Sequence, residues 1–483
     1  MRHAAPAPPD YRHDLADPRR WQALVLLCLA QFMVILDITV VNVALPAIGA
    51  DLSLDRAALT WVITAYTLCF GGLMLLGGRL ADLLGRRRMF LAGLTTFTLA
   101  SLGAGLAGDG TVLVAARALQ GVGAALLSPA ALSIITTTFH GRERYRALGV
   151  WAALGGAGAA VGVLLGGTLT SGPGWPWVFF VNVPVGVLVA AAVPATVATS
   201  PRSSAQGVDV PGAVAVTAAV GLLIYGLVRA GDTGWGAAGT LLPLGLGLLL
   251  LGGFVALERT VAAPLVDLRL LAARPVAAGY GVMLAASGLL ISGFFLNSLL
   301  LQRVMGLTAL GTGLVFLPVA VATIIGAQAA AHLVARLGSR PVAAAGFTLA
   351  AIGMALLAGV PADGDPVGDV LPGFTLAAAG LDMAFVTATT TAMARVDPDR
   401  AGMVSGVINT AHELGAALGV ALVSTIAGAS VELGPAAAQA ATTGFDQAFL
   451  ACAILAGVVA VAASWLLPAG RLPAAGEGPV FAH

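Results

Sequence analysis

Charged side chains inside apolar stretches are the residues of this sequence that could do chemistry. Asp37 lies in LDITVVNVALP, within an otherwise apolar run, and Arg117 opens RALQGVGAA in another. Asp382 and Glu413 lie in two further apolar runs, and His412 adjoins Glu413. A charged group at membrane depth needs a partner, water or a proton. These positions are therefore candidates for proton transfer and for ligand binding.

The composition is that of a membrane protein. Of the 483 residues, 58% are hydrophobic and only 10% are charged, and the mean hydropathy is +0.95. Soluble domains carry about 25% charged residues. The sequence has no lysine, no nucleotide-binding Gly/Lys/Ser loop, no paired-cysteine metal site and no large soluble segment. These features argue against an enzyme, against transport driven by ATP on this chain and against any cofactor.

Apolar runs of about twenty residues, each long enough to cross a bilayer, recur along the chain and predict an all-α membrane protein with fourteen transmembrane helices. An even number of spans places both termini on one side of the membrane, and all but four of the 24 arginines fall on that side. The positive-inside bias then predicts a multi-pass protein of the cell inner membrane with both termini cytoplasmic. The predicted spans are 21–45, 57–77, 88–107, 111–135, 146–170, 175–195, 210–229, 238–256, 275–298, 308–334, 341–360, 370–393, 402–428 and 446–467.

A shift of 253 residues relates the two ends of the chain. It aligns RLADLLGRR with HLVARLGSR, matching Gly85 to Gly338, and it aligns the fifth span with the thirteenth, matching Gly162 to Gly415. Repeated bundles of this kind are common in transporters. We expect the inserted pair of helices to pack beside the two bundles. The predicted segments are a cytoplasmic tail (1–20), a six-helix bundle (21–195), linkers with two inserted helices (196–274), a second six-helix bundle (275–467) and a cytoplasmic tail (468–483).

The string GGRLADLLGRRR, from Gly77 to Arg88, is expected to form the turn between spans two and three. Glycines permit close approach of helices, Asp82 can cap a helix or pair with arginine, and Gly85 permits a tight turn. A merely solvated positive loop would explain the arginines, but it would not explain the spaced Gly, Asp and Gly.

The fifth span repeats glycine every four residues. Gly158, Gly162 and Gly166 form one smooth helical face, and Gly167 follows directly. Such a face packs closely on a neighbouring helix. A close-packing face and a functional hinge remain equal alternatives.

These motifs resemble those of the major facilitator superfamily. The turn GGRLADLLGRRR resembles its signature loop, which implies that Gly78, Asp82, Gly85, Arg86 and Arg87 form a cytoplasmic gate latch. In the second half, Ala335 stands where Asp82 stands in the first. RALQGVGAA resembles the fourth-span motif, which implies a role for Arg117 in proton coupling.

Further motifs are similar to those of the fourteen-span drug and proton antiporters of that superfamily. They are LDITVVNVALP, WPWVFFVNVPVG and GAGAAVGVLLGG, although the last has Val163 where the antiporter pattern has proline. The resemblance implies a major facilitator fold, with two six-helix bundles around a central cavity and a two-helix central insertion. It also implies multidrug efflux or export of an antibiotic.

The depths of the charged residues suggest how they are used. Asp37 is predicted about 12 Å inside the outer end of its span and Arg117 about 9 Å inside its own, so the two are expected to meet. Asp37 would load and release a proton beside Arg117; a static salt bridge is the alternative. Asp382 and Glu413 fall near the midplane, where they could select a lipophilic cation or provide a second proton site. His412 is expected to be a packing or hydrogen-bonding residue.

The predicted function is proton-coupled export of a hydrophobic small molecule by alternating access. The expected partners are this substrate, which is cationic in one interpretation, together with protons and the lipid bilayer. Nucleic acid is not expected, and the chain is expected to be a monomer. A proton symporter or uptake carrier for a small metabolite is the alternative, favoured by Val163 in place of proline. A receptor that does not transport would not be expected to keep these intramembrane charges.

Overall fold

A computed structural model describes residues 19–54, 56–199, 209–261, 264–394, 396–428 and 438–468. Most of the two predicted tails and of the polar linker after residue 199 lie outside these ranges. The described chain is helical and contains no strand. Its α-helices are α1 (Arg20–Asp51), α2 (Arg56–Leu84), α3 (Arg86–Gly105), α4 (Gly110–Thr138), α5 (Gly141–Ala152), α6 (Leu154–Ser171), α7 (Trp177–Phe180), α8 (Asn182–Thr196), α9 (Val210–Thr233), α10 (Ala238–Glu258), α11 (Leu268–Ala272), α12 (Arg274–Leu299), α13 (Ala309–Leu337), α14 (Ser339–Leu357), α15 (Leu371–Met393), α16 (Ala401–Gly428) and α17 (Ala438–Leu466).

Twelve helical segments in the described ranges are long and apolar enough to cross a membrane. Helices satisfy their own backbone hydrogen bonds, which lipid cannot do, so long apolar runs fold in this way. Two of the fourteen predicted spans are not among the twelve. The third forms α3, whose first three residues are arginines, and the fifth is divided at Ala153 into α5 and α6. Helix α5 has only 12 residues and opens with the charged string GRERYR, so it is too short and too polar to count as a span.

Helices α1 and α2 both continue well beyond their predicted C-terminal ends. Helix α1 continues past Pro46 to Asp51, because a proline removes one backbone hydrogen bond without ending a helix that neighbouring helices support. Helix α2 continues to Leu84, so most of the predicted turn GGRLADLLGRRR is helical. The chain reverses at Gly85 alone, where φ is 100°, a value that favours glycine.

The same set of helix pairs packs in both ends of the chain. In the first half, α1 packs on α6 and α8, α4 on α2 and α3, and α3 on α8. In the second half, α12 packs on α16 and α17, α15 on α13 and α14, and α14 on α17. Gly85 and Gly338, which the shift of 253 aligns, both have positive φ and both precede a helix. The sequence repeat therefore corresponds to a repeat in packing.

The two halves meet chiefly through two sets of helices related by the same repeat. Helix α2 packs on α16, and α13 packs on α5 and α6. Of the two inserted helices, α9 contacts both α2 and α16, whereas α10 packs chiefly on α9.

One end of the helix bundle carries both ends of the described chain, and we call it the terminal face. There Arg19 donates a hydrogen bond of 3.0 Å to the carbonyl of Ala195. Arg274 donates one of 2.7 Å to the carbonyl of Trp465. Helices α1 and α12 begin at this face, and α8 and α17 end there.

Candidate functional site

Asp37 and Arg117 form a buried ion pair within the first half. Asp37 lies near the middle of α1 and Arg117 lies on α4, and their side chains are 0% and 1% exposed. Arg117 also donates from Nε to the carbonyl of Val62 at 3.1 Å. Its guanidinium carbon lies 4.3 Å from the ring centre of Tyr66. A buried pair is tolerated only where such additional contacts satisfy the remaining donors and lone pairs.

Two amide side chains complete the surroundings of the Asp37 carboxylate. Gln120 on α4 and Asn182 on α8 each donate to Oδ1 of Asp37 at 3.0 Å. Both amides also lie 3.1 Å from the hydroxyl of Ser101, which in turn donates to the carbonyl of Phe179. Helices α1, α3, α4 and α8 therefore converge on one carboxylate through hydrogen bonds.

Sequence reasoning did not select these two amides. Gln120 follows Arg117 by three residues on the same helix, and Asn182 lies within WPWVFFVNVPVG. An amide inside an apolar span usually bonds to a neighbouring helix without special function. Only the fold shows that both amides bind the acid on α1.

Glu413 and His412 lie on α16, where the second half meets the first. Glu413 is 9% exposed, and its Cβ lies 3.5 Å from where a Cβ on Gly71 of α2 would stand. His412 faces away from that contact. It bonds to the hydroxyl of Ser287, and its ring centre is 5.4 Å from that of Phe385. Nε2 of His412 lies 3.9 Å from Oε1 of Glu413.

Asp37 and Glu413 are both connected to α2. The partner of Asp37, Arg117, bonds to Val62 and lies over the ring of Tyr66, whereas Glu413 lies against Gly71 farther along the same helix. Asp382 on α15 is not part of this group. It is 0% exposed, and neither of its carboxyl oxygens has a hydrogen-bond partner within the described part of the chain.

Asp82 joins the two halves at the terminal face. Its two carboxyl oxygens accept hydrogen bonds of 2.8 Å from the backbone amides of Gly402 and Met403, at the start of α16. A helix start offers unpaired amides and a partial positive charge, which a carboxylate satisfies. Gly78 permits this approach, since a Cβ there would stand 2.2 Å from the carbonyl oxygen of Gly402.

The rest of the predicted latch holds α3 within the first half. Arg86 lies 3.6 Å from Asp82 and donates to the hydroxyl of Thr137 at 3.3 Å. Arg87 donates to the carbonyl of Val197 at 2.9 Å, at the end of α8. Of the predicted latch residues, Gly78 and Asp82 contact the second half directly.

Two further ion pairs lie at the terminal face. Arg20 donates hydrogen bonds of 3.0 and 2.9 Å to Glu143, and these lower the pKa of the Glu143 carboxyl. Arg400, just before α16, pairs with Asp267, which also caps α11. Burial opposes ionisation of Asp267, but the amides of α11 and the charge of Arg400 hold its pKa below the usual value.

Three glycines of the predicted packing motif contact α1. A Cβ on Gly158 would stand 2.6 Å from Ile35, and one on Gly162 would stand 2.6 Å from Thr39. Gly166 approaches Val43 in the same way, at 3.0 Å. Gly167 is turned away by the helical step of about 100°, and a Cβ there would meet no atom within 4 Å.

Comparison with known proteins identifies the family. The profile of the Major Facilitator Superfamily matches residues 27–420. The chain belongs to the major facilitator superfamily. The family predicted from the motifs is thus confirmed, and a member of this superfamily is a membrane transporter rather than an enzyme.

Similar major facilitator proteins are named for antibiotics. The puromycin resistance protein pur8 of Streptomyces alboniger is 39% identical over 478 residues, which cover 95% of this chain and 94% of that protein. The cephamycin export protein CmcT of Amycolatopsis lactamdurans is 39% identical over 445 residues, or 91% of each chain. The solved proton:xylose symporter XylE is 15% identical and has a TM-score of 0.63, covering 94% of this chain and 97% of that one. That likeness shows the fold alone.

Proposed function

We propose that this protein exports hydrophobic, antibiotic-like small molecules, and that protons moving inward drive the export. Full-length relatives named for antibiotic resistance and export support the substrate class. The observation that carries the proton coupling is the buried carboxylate of Asp37, held by one arginine and two amides in the interior of the bundle. A buried charge with dedicated partners is characteristic of proton pathways in membrane transporters.

In this mechanism Asp37 is the main proton carrier. The contacts in the present structure suit its ionised form, because Arg117 supplies a positive charge and the amides donate hydrogen bonds. Proton binding would cancel the charge, weaken the pair with Arg117 and so favour a different arrangement of α1 and α4. Proton binding and substrate binding would then bias the same conformational equilibrium.

Glu413 and Asp382 are the proposed groups of the second half. Glu413 is suited to contact a cationic part of the substrate, since it carries a carboxylate at the α2–α16 contact, beside Gly71. Asp382 is the proposed second proton site. Its carboxyl has no hydrogen-bond donor in the described chain, so an added proton breaks no contact there.

The latch and the topology belong to the same proposal. The terminal face is cytoplasmic, and Asp82 keeps it closed by capping α16. Fourteen spans arise if α3, and α5 with α6, cross the membrane in addition to the twelve apolar segments. Residues 21–195 and 275–467 then form two six-helix bundles that move against each other, and the protein works as a monomer in the inner membrane.

The test uses purified protein in liposomes with an imposed pH gradient and a pH-sensitive dye inside. Antiport predicts that adding substrate outside releases protons from an acidified lumen through inside-out molecules, while substrate accumulates. Entry of protons together with substrate would indicate the symport alternative. Gradient-independent leakage of substrate, or no flux for any of several antibiotics to which the chain confers resistance, would contradict the proposal.

A further inference from the structure

The inserted helix α9 lies against both halves of the transporter, close to Glu413. On α2, a Cβ on Gly72 would stand 3.3 Å from the carbonyl oxygen of Thr217, and one on Gly71 would stand 2.3 Å from Cδ1 of Ile224. Ile224 and Glu413 share the gap beside Gly71, which we call the notch. The Cβ of Glu413 lies 3.5 Å from where a Cβ on Gly71 would stand. Ile224 is 0% exposed. A side chain of the insertion and the acid of the second half therefore meet over one glycine of the first half.

Contacts farther along α9 hold it against both α16 and α2. The indole of Trp235, just after α9, donates to the hydroxyl of Thr425 at 2.9 Å. A Cβ on Gly231 would stand 3.0 Å from the hydroxyl of Ser424. Trp61 of α2 stacks on Tyr225 with ring centres 6.1 Å apart.

The second inserted helix has a different environment. Leu242 and Leu249 of α10 are 72% and 70% exposed, as expected for a helix that faces lipid. The two helices of the insertion are thus not equivalent: α9 packs against α2 and α16, and α10 packs chiefly on α9.

Each of the three helices α2, α9 and α16 carries a buried polar atom that lacks a hydrogen-bond partner in the described chain. In the described chain, the hydroxyls of Tyr66 on α2 and Thr217 on α9, and the amide nitrogen of Asn409 on α16, have no hydrogen-bond partner. Buried polar groups are ordinarily bonded, so each such group calls for a partner. Thr217 lies two helical turns from Ile224, and Asn409 lies one turn from Glu413, so each pair shares a helix face. A ligand with a hydrogen-bond acceptor would satisfy these donors.

We propose that α9 forms part of the drug-binding site, with Ile224 limiting the bulk of the substrate beside Glu413 and Thr217 donating to an acceptor on it. This assignment rests on the proposed export function. The insertion then determines which substrates fit, in addition to filling the gap between α2 and α16. A shorter side chain at position 224 would widen the notch, and a larger one would narrow it. Because Gly71 has no side chain, the size of residue 224 determines how much space remains there.

The test compares substrate pairs in liposomes containing the full chain. Methyltriphenylphosphonium and tetraphenylphosphonium carry the same charge and differ in bulk. Ile224→Ala is expected to lower KM for the larger cation relative to the smaller by about tenfold, the scale of a small change in an apolar pocket. Ile224→Phe shifts the ratio the other way, and Ile224→Val falls between Ala and the parent. Leu249→Ala on α10 is the matched control and leaves the ratio unchanged.

Puromycin has hydrogen-bond acceptors that the phosphonium ions lack. Thr217→Val is therefore expected to raise KM for puromycin severalfold and to leave both phosphonium values unchanged. Equal changes for all three probes, changes in kcat alone, or the same shift in Leu249→Ala would overturn the assignment to α9. Failure of the parent protein to move any of the three probes would instead count against the proposed export function.

Discussion

Asp37 and Asp382 are both fully buried acids, yet their surroundings are opposite. Asp37 binds Arg117 and accepts hydrogen bonds from Gln120 and Asn182. Asp382 has no hydrogen-bond partner within the described residues. Burial of an ionised carboxylate is costly unless donors and an opposite charge compensate it. The first half is therefore arranged around a charge, and the second half buries an acid without such an arrangement.

This difference shows that burial alone does not indicate which intramembrane acid has the coupling role. Losing the charge of Asp37 would weaken its contacts with Arg117, Gln120 and Asn182, which lie on two other helices. A proton on Asp382 would break no hydrogen bond in the described chain. We accordingly assign the main coupling role to Asp37 and propose a lesser role for Asp382.

The largest effect is expected from removing the charge that faces Asp37. Arg117→Gln leaves a buried carboxylate without its counter-charge, a change that costs about 3–5 kcal/mol in other buried pairs. Proton-driven export should fall at least about 100-fold, because the ionised state of Asp37 is no longer supported. Flux in liposomes and thermal unfolding in detergent measure the two effects.

The double variant Asp37→Asn with Arg117→Gln serves as its control. Removing both partners should restore much of the thermal stability while export stays absent. Recovery of proton-driven export in the double variant would show that the pair is only structural.

The next largest effect concerns Asp82, an acid whose partners are backbone amides of the other half. Asp82→Ala removes two hydrogen bonds to a charged group, each typically about 1.5–3 kcal/mol. The closed terminal face should become less populated, and export should slow at least about tenfold. The export rate of Asp82→Ala measures the second effect. Thiol labelling of Met403→Cys, in a protein without the native cysteines and with or without Asp82→Ala, measures how often the terminal face is open.

Moving the acid to the repeat-related position is the matched control. In Asp82→Ala with Ala335→Asp, activity should not return. Gly149 and Val150 match Gly402 and Met403 by the shift of 253, but they lie inside α5, where amides already bond within the helix. Restored export would contradict the interpretation that Asp82 acts by capping a helix start.

A smaller effect is expected from removing one of the two amides around Asp37. Asn182→Ala deletes one hydrogen bond to the carboxylate and leaves Arg117 and Gln120 in place, so export should slow about tenfold. Asn297→Ala is the control, because that amide bonds only to Gly293 of its own helix in the described structure. Equal slowing in both variants would remove the special role of Asn182.

The smallest effect is expected at Asp382, whose carboxyl has no hydrogen-bond partner in the described chain. Asp382→Asn should change the free energy of unfolding by no more than about 1 kcal/mol, because no hydrogen bond or ion pair among the described residues is lost. Denaturant or thermal unfolding of the purified variant measures this. A loss of several kcal/mol would mean that Asp382 has a strong partner, and it would erase the contrast with Asp37.

The sequence predicts the membrane class, the helical architecture and the superfamily, because apolar periodicity and local motifs are encoded over short stretches. It also predicts that Asp37 and Arg117 approach each other, since a charge at membrane depth needs a partner and both were placed at similar depths. The packing of α12 on α16 parallels that of α1 on α6, as the repeat of 253 residues suggests.

Other features depend on contacts between distant segments. Asp82 bonds to amides 320 and 321 residues away, and no local pattern names those partners. The amides of Gln120 and Asn182 resemble ordinary interhelical bonders until the fold places them on one carboxylate. The inserted helices are expected beside the bundles, but the contact of α9 with both α2 and α16 is invisible to hydropathy, which gives spans and not their neighbours.

The most direct test of the central claim is a comparison of two assays on Asp37→Asn in liposomes. Gradient-driven accumulation requires a proton to bind and leave, whereas exchange of labelled for unlabelled substrate without a gradient requires only substrate binding and alternating access. We predict that Asp37→Asn abolishes gradient-driven accumulation and retains exchange. Accumulation at the parent rate, with dissipation of the pH gradient, would contradict the account.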